Sequence, residues 1–415
     1  MKQMNIIDLF SGAGGLTEGF RSNFNIINHV EMDPAASKTL QLRDAFYFLK
    51  QQNKLEIYLK YLKNNISFKE LLTHIPITIQ EKTLNKKISA ETILAIFDSI
   101  DKKIVEQNIF TIDGIIGGPP CQAYSTVGRA RNSNKKNNDE RIYLYRYYIE
   151  FIQKYHPHFF VFENVKGLLS FKDQFNEPLL PKMIQEFKNA GYRLQYQLID
   201  SSMYGVPQKR ERLIIFGTDG TIAPELFFKQ LETKKENSIT IGQLFQDLPF
   251  LHSGETVNSY GQTIPNAFVN RHIRSNNDIP LTQNVARPNQ PNDLLIYRQA
   301  AIDKSQGHNF RYDELDPSQQ THKNRKEFLD RYKVLDKDSV SHTVVAHISK
   351  DGHYYIHPDV TQNRSITVRE AARIQTFPDD FYFETSRTHA FTQIGNAVPP
   401  YLAKKIASTI IDLYN

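Results

Sequence analysis

The stretch NIIDLFSGAGG, residues 5–15, decides how the fold is read: an apolar run from Asn5 to Phe10 ends in a turn crowded with small residues. A short apolar run closed by glycines reads as a buried strand, and the periodicity resuming near Leu16 reads as a helix. Two later runs behave alike, Ile112 to Ile116 before GGPPC and Phe159 to Phe162 before ENV. Helical spacing over Tyr143 to Tyr155 and Leu179 to Ala190 places helices between the strands, which predicts an α/β fold on a parallel sheet. Ligands bind such sheets beyond the carboxyl ends of the strands, so the three turns are expected to face one crevice although they lie far apart in sequence.

The turn Gly12-Ala13-Gly14-Gly15 lets backbone approach a ligand closely, but Thr17 stands where a dinucleotide fingerprint would have its third glycine. A second run, Ile26 to Val30, ends in Glu31, where a carboxylate can accept hydrogen bonds from ribose hydroxyls. Together they point to an adenosine-containing ligand.

Between Leu40 and Ile109 lies a Lys-, Leu- and Ile-rich segment with helical periodicity, read as inserted helices over about residues 40–110. After Phe216 the chain becomes richer in Asn, Gln, Pro and His, with turn signals such as Ser253-Gly254 and Asp351-Gly352, as in a loop-rich second domain. Regularity returns in TVREAARIQTF and YLAKKIASTIIDLY, both amphipathic helices. The expected division is 1–217 for a catalytic and cofactor-binding domain, 218–384 for a second domain, and 385–415 for a segment returning to the first.

A chain of 415 residues with 40% hydrophobic and 23% charged residues has ample material for a core and is too apolar to be wholly disordered. One cysteine, Cys121, excludes an intramolecular disulfide and any all-cysteine metal site, and fits a reducing setting. The net charge of +6 is compatible with a polyanionic partner. Asp8 and the glycines interrupt the N-terminus where a secretory signal would be apolar, and no run approaches the roughly 20 residues of a membrane span. A cytoplasmic protein with no membrane association is expected.

Cys121 follows two glycines and two prolines at the end of a strand, a rigid mount that favours a nucleophile over a packed thiol. Attack needs thiolate, which nearby arginines such as Arg210 and Arg212 would favour. Glu163 ends another strand, where partial burial would raise its pKa and suit it to proton donation. A thiolate, a carboxylic acid and an adenosine cofactor in one crevice match methylation of an aromatic ring carbon. Thiolate addition to cytosine C6, with an acid at N3, turns C5 into an enamine carbon able to attack a methyl sulfonium.

DLFSGAGGLTEGF (8–20), GGPPCQAYS (117–125), ENVKG (163–167), GVPQKRERL (205–213), RSITVREAARIQTFPDDF (364–381) and QIGNAVPP (393–400) together resemble the DNA (cytosine-5) methyltransferases of bacterial restriction–modification systems, in order and along most of the chain. The resemblance implies a Rossmann-like S-adenosylmethionine-dependent methyltransferase sheet with a smaller, loop-rich target-recognition domain. It implies that Cys121 attacks C6, that Glu163 contacts N3 and the exocyclic amine, and that Arg212 lies near cytosine O2. Arg210 is assigned to support of the catalytic loop or a phosphate, with a surface ion pair as its alternative. Phe10, Gly12, Gly14, Gly15, Glu31, Met32, Pro120 and Asn396 would surround S-adenosyl-L-methionine, Asn396 otherwise being an N-cap for the last helix. The family's acid for the adenine amine is obscured here, with Asp98 and Asp101 both open.

Double-stranded DNA is the implied partner, with the cytosine flipped out of the stack. The implied protein is monomeric and nucleoid-associated through DNA, sharing its target with a cognate restriction endonuclease that need not bind it. The basic segment TVGRARNSNKKNNDER after Ser125, with Gly128 as a hinge, reads as a lid closing on phosphates. His347, His353, Tyr354, Tyr355 and His357 cluster without metal-ligand spacing, so no metal site is expected. An RNA-directed relative and a catalytically silent DNA-binding regulator are the competing readings.

Overall fold

The computed structural model describes residues 3–120, 124, 140–276, 278–320 and 327–414. Its strands are Met4–Leu9 (β1), Phe24–Glu31 (β2), Thr83–Asn85 (β3), Gly114–Gly117 (β4), Phe159–Val165 (β5), Arg193–Asp200 (β6) and Glu211–Thr218 (β7). They form one sheet in the order β3-β2-β1-β4-β5-β7-β6. The strands β1 to β5 are parallel, and the order reverses direction between β1 and β4, the place where such sheets open a crevice.

Helices cover both faces. On one, Ile93–Glu106, Leu144–Tyr155 and Leu179–Asn189 bury their apolar stripes against Ile7, Leu9, Ile115 and Phe160. Tyr148 reaches through this layer, and its one hydroxyl hydrogen is shared between the carbonyls of Ile115 and Val161, 2.9 and 3.0 Å away, satisfying its polar end in the core. On the other face, Gly15–Phe20, Pro224–Glu232 and Pro400–Tyr414 pack on Ile6, Ile26, Val161 and Phe216.

Two expectations need correction. The sheet is mixed, because β7 runs antiparallel to both β5 and β6. The strand β6, RLQYQLID, is missed by an apolar-run criterion because it lies half-exposed at the sheet edge with polar residues on alternate positions. The segment from Leu40 to Ile109 is not only inserted helices, since it supplies the edge strand β3 and the covering helix Ile93–Glu106. Three residues are too few to show a periodicity. The short helices between Leu55 and Gln80 do form a satellite core around Phe46, Tyr58 and Leu71, closed by Ile279.

Beyond β7, residues from Ile241 to Ala397 build a further core around the helix Val368–Ile374, and Ala13 of the glycine turn packs into it. Thr367 and Glu370 form a capping box at this helix start. Buried arginine–carboxylate pairs surround it. Arg364 grips Glu370 at 2.7 Å, and Arg373 bridges Asp247 and Asp379 at 2.5 and 2.6 Å. Burial pushes the Glu370 carboxyl upward, but Arg364 outweighs it and holds the pKa at about 2. No helix among the described residues is long and apolar enough to cross a membrane.

Arg373→Met would leave Asp247 and Asp379 with the longer ion pairs to Arg274 at 3.4 Å and Arg369 at 3.8 Å, so the folded state should lose about 3 kcal/mol, read as a lower urea midpoint at unchanged slope.

Candidate active site

Strand register sets the geometry of the site. Val30, Leu9, Gly117 and Phe162 are successive partners across β2, β1, β4 and β5. The next residues, Glu31, Phe10, Gly118 and Glu163, therefore stand side by side at the carboxyl edge. At about 4.8 Å per strand, Glu31 and Glu163 are roughly 14 Å apart across this edge.

At the Glu31 end, the chain leaves β1 through Phe10 and Gly12, both at positive φ (55° and 54°). Gly14 follows at φ 84°, a left-handed conformation that a side chain would strain, and its N–H closes the turn on the Ser11 carbonyl at 2.9 Å. A Cβ at Gly12 would meet nothing within 4 Å, so that backbone faces open space. Glu31 accepts the N–H groups of Gly12 and Asp33, each at 2.7 Å. Burial raises its pKa despite these bonds. Beside it Met32 is 55% exposed, an apolar platform at the rim.

Asn85, at the end of β3, donates to the carbonyls of Glu31 and Met32 at 3.0 and 3.1 Å and fixes this corner. Asp98 and Asp101 are elsewhere: both lie on the helix Ile93–Glu106, and Asp101 pairs with Lys154 at 2.8 Å. Asn396 is the last residue of the helix Arg387–Asn396 and does not cap the final helix, which begins at Pro400. Its segment does return to the glycine turn, since a Cβ at Gly15 would lie 2.4 Å from the Val398 carbonyl oxygen.

At the other end, Arg212 Nε lies 2.8 Å from Glu163 Oε1, with both side chains nearly buried. The antiparallel register makes the pair possible, because Arg212 lies opposite Val165, two residues beyond Glu163 on the same face of β5. Burial raises the Glu163 pKa, and the Arg212 and Arg210 charges only partly oppose it. Gly118 makes room for the carboxylate, since a Cβ there would lie 2.6 Å from Glu163 Oε2. Asn164, which sequence reasoning left without a role of its own, donates to the Pro119 carbonyl at 3.3 Å and ties the GGPP turn to β5.

Pro120 is half-buried at the end of this turn. Cys121 and the basic segment 125–139 lie outside the described residues. Tyr124, just beyond Cys121, is buried with its ring 5.1 Å from that of Phe171.

Arg210 is neither a surface arginine nor within reach of a phosphate: it is fully buried and donates to the carbonyls of Val344 and Gly395 at 2.7 and 2.9 Å. Arg210 precedes β7 and is drawn into the junction with Val344 and Gly395, whereas Arg212, within β7, reaches the edge beside Glu163. Gln208 extends the same junction, accepting the Val344 N–H at 2.8 Å and donating to Gln375 at 3.0 Å. Of the histidines near residue 350, His347 is exposed. His353 bonds the Tyr297 hydroxyl at 2.7 Å, and His357, stacked on Phe245, is lowered to about 4 by burial and Arg364. Among the described residues one trio, Asp303, His308 and Glu314, brings potential ligand atoms within 4.8 Å of one another, on the surface and away from this edge.

Gly118→Ala should displace the Glu163 carboxylate and also press on β5, since the Cβ would lie 2.8 Å from the Glu163 carbonyl oxygen. About a hundredfold loss in methyl transfer together with a lowered melting temperature is expected, checked by tritium incorporation and calorimetry.

The family model for C-5 cytosine-specific DNA methylases matches residues 79–412. The chain is 38% identical to the Type II methyltransferase M.Bpa9945I of Bacillus paralicheniformis, with 99% of each chain covered. It is 29% identical to M.DdeI of Desulfomicrobium norvegicum, over 98% of this chain and 88% of that one. The fold is also that of a prophage-encoded Escherichia coli DNA modification methyltransferase, with a TM-score of 0.63, 23% identity and full coverage of both chains. With the motifs and the edge geometry in agreement, the chain belongs to the C-5 cytosine-specific DNA methylase family.

Proposed function

We propose that this chain is the modification enzyme of a restriction–modification pair, methylating C5 of a flipped-out cytosine at a specific duplex sequence in the cytoplasm. The reading is carried by one observation: Glu163, paired with Arg212, stands beside the GGPP turn that leads into Cys121, three strands from Glu31. The Type II names of the relatives support the biological setting.

The Glu31 end fits S-adenosylmethionine, the cofactor of this family. A buried carboxylate with a raised pKa, an exposed Met32, and a Gly12 backbone facing open space suit ribose hydroxyls, a purine face and a close backbone approach. Phe10, Gly14, Gly15, Pro120 and Asn396 would complete that site. Bound there, the cofactor supplies an electrophilic methyl group.

The chain's own residues prepare the acceptor. The Cys121 thiolate forms a bond to C6 while Glu163 donates a hydrogen bond or proton to N3, so electron density gathers at C5. Arg212 holds Glu163 in position and presents its remaining N–H groups to the base. After C5 is methylated, loss of the C5 proton to a base lets the C6–S bond break and returns the thiolate. Arg210 positions the recognition segment at Val344 against the cofactor edge at Gly395 and touches no reacting atom. Residues 218–384 would read the target from loops in the major groove, and the basic segment after Ser125 would close on phosphates.

Duplex DNA carrying 5-fluorocytosine at the target should trap a denaturant-resistant adduct on Cys121, because fluorine cannot leave as a proton does; full methyl transfer by Cys121→Ser would overturn the mechanism. Because burial holds the Glu163 proton to higher pH, activity should fall as pH rises through that raised pKa. In Glu163→Gln this alkaline limb should vanish, with a rate loss of about 10²–10⁴ measured across a pH series.

A further inference from the structure

Beneath the glycine turn lies a chain of buried charges that the chemistry above does not use. His29 of β2 is the register partner of Asp8 of β1, and both are fully buried. His29 Nδ1 is 3.3 Å from Asp8 Oδ2, and His29 Nε2 is 3.5 Å from Asp44 Oδ2. Each carboxylate also holds the short helix Gly15–Phe20 that carries the turn. Asp8 accepts the Thr17 hydroxyl, and Asp44 receives Arg21, the residue closing that helix, at 2.6 Å.

We propose that His29 is a positioning residue for the cofactor site: as an imidazolium between Asp8 and Asp44, it fixes both anchors of the Gly15–Phe20 helix and so keeps Gly12 to Gly15 in the conformation that receives S-adenosylmethionine. The inference rests on the cofactor reading above.

The chemistry favours the charged ring. A neutral imidazole has one N–H and no charge to set against two carboxylates, whereas the imidazolium turns an N–H and its charge toward each: Nδ1 lies within hydrogen-bond reach of Asp8 and Nε2 faces Asp44 at ion-pair distance. Burial opposes the charge, but Asp44 and Asp8 outweigh it, so the His29 pKa is raised. The other titratable groups facing this cluster are Arg21, Lys82 ahead of β3, Lys103 of the helix Ile93–Glu106, Tyr148 of the helix Leu144–Tyr155, and Glu18, itself held by Arg43. They arrive from different elements, so the cluster ties β1, β2, the first helix and the helix Pro34–Gln51 together. Glu31, two residues beyond His29 on the same face, fixes the other side of the turn through Gly12. A raised histidine pKa stabilises the fold fully below the ordinary value, and that contribution is lost as pH rises through the folded value. The anchoring of the turn should loosen over the same range.

His29→Gln keeps the size and a hydrogen-bonding group but removes the charge. Expected are about tenfold weaker S-adenosylmethionine binding by calorimetry and a matching rise in its KM, with kcat at saturating cofactor changing less than twofold. A lower melting temperature at wild-type cofactor affinity would reduce His29 to a packing role and overturn the proposal. Should the variant not fold, hydrogen exchange of the wild type decides. After correction for intrinsic rates, amides 12–21 should lose protection as pH rises above the ordinary histidine value of about 6.5 while the core of β5 keeps it, and a flat profile at 12–21 would overturn the proposal. If wild-type protein bound no S-adenosylmethionine, the cofactor reading would fall, while the exchange profile would still judge the anchoring role of His29.

Discussion

The backbone ladder across β2, β1, β4 and β5 is the constraint on which the site depends. Its register sets Glu31, Phe10, Gly118 and Glu163 at one level, although the segments carrying them are separated by long stretches of chain. A slip of one residue in any strand would turn the corresponding side chain to the opposite face. The cores on the two sheet faces hold that register, because each strand buries apolar residues on both sides.

The two ends of the edge have opposite electrostatic needs. At Glu163 burial and Arg212 compete over one proton, and the balance leaves a carboxyl that keeps its proton to higher pH. At the glycine turn the carboxylates are held by backbone N–H groups, by the Thr17 hydroxyl or by buried cations, which serves rigidity. The proline-rich turn restricts the backbone that leads toward Cys121, and the glycine turn leaves Gly12 facing open space.

Much of this was legible in the sequence, and the failures have physical causes. The three apolar runs announced β1, β4 and β5, because central parallel strands are buried on both faces. Edge strands β3 and β6 escaped, one for its length and the other for its half-polar face. Glu163 and Arg212 could be nominated from their motifs, but their ion pair depends on an antiparallel register between segments about 50 residues apart. Arg210 read as support for the catalytic loop or a phosphate, or as a surface arginine, because nothing local reveals that Val344 and Gly395 will supply carbonyls to bury it. His29 carried no signal, since its partners come from β1 and from a helix face.

The helix Pro400–Tyr414 packs directly on the first helix, with Gly19 so close to Ala403 and Lys404 that a Cβ would lie 2.4 Å from either. Two segments more than 380 residues apart in sequence are therefore neighbours in the folded molecule. On a ribosome, the glycine turn emerges long before its packing partner, and its outer wall exists only after all the intervening chain has been made. A ligand pocket at this turn, as proposed above, would thus be completed late in synthesis.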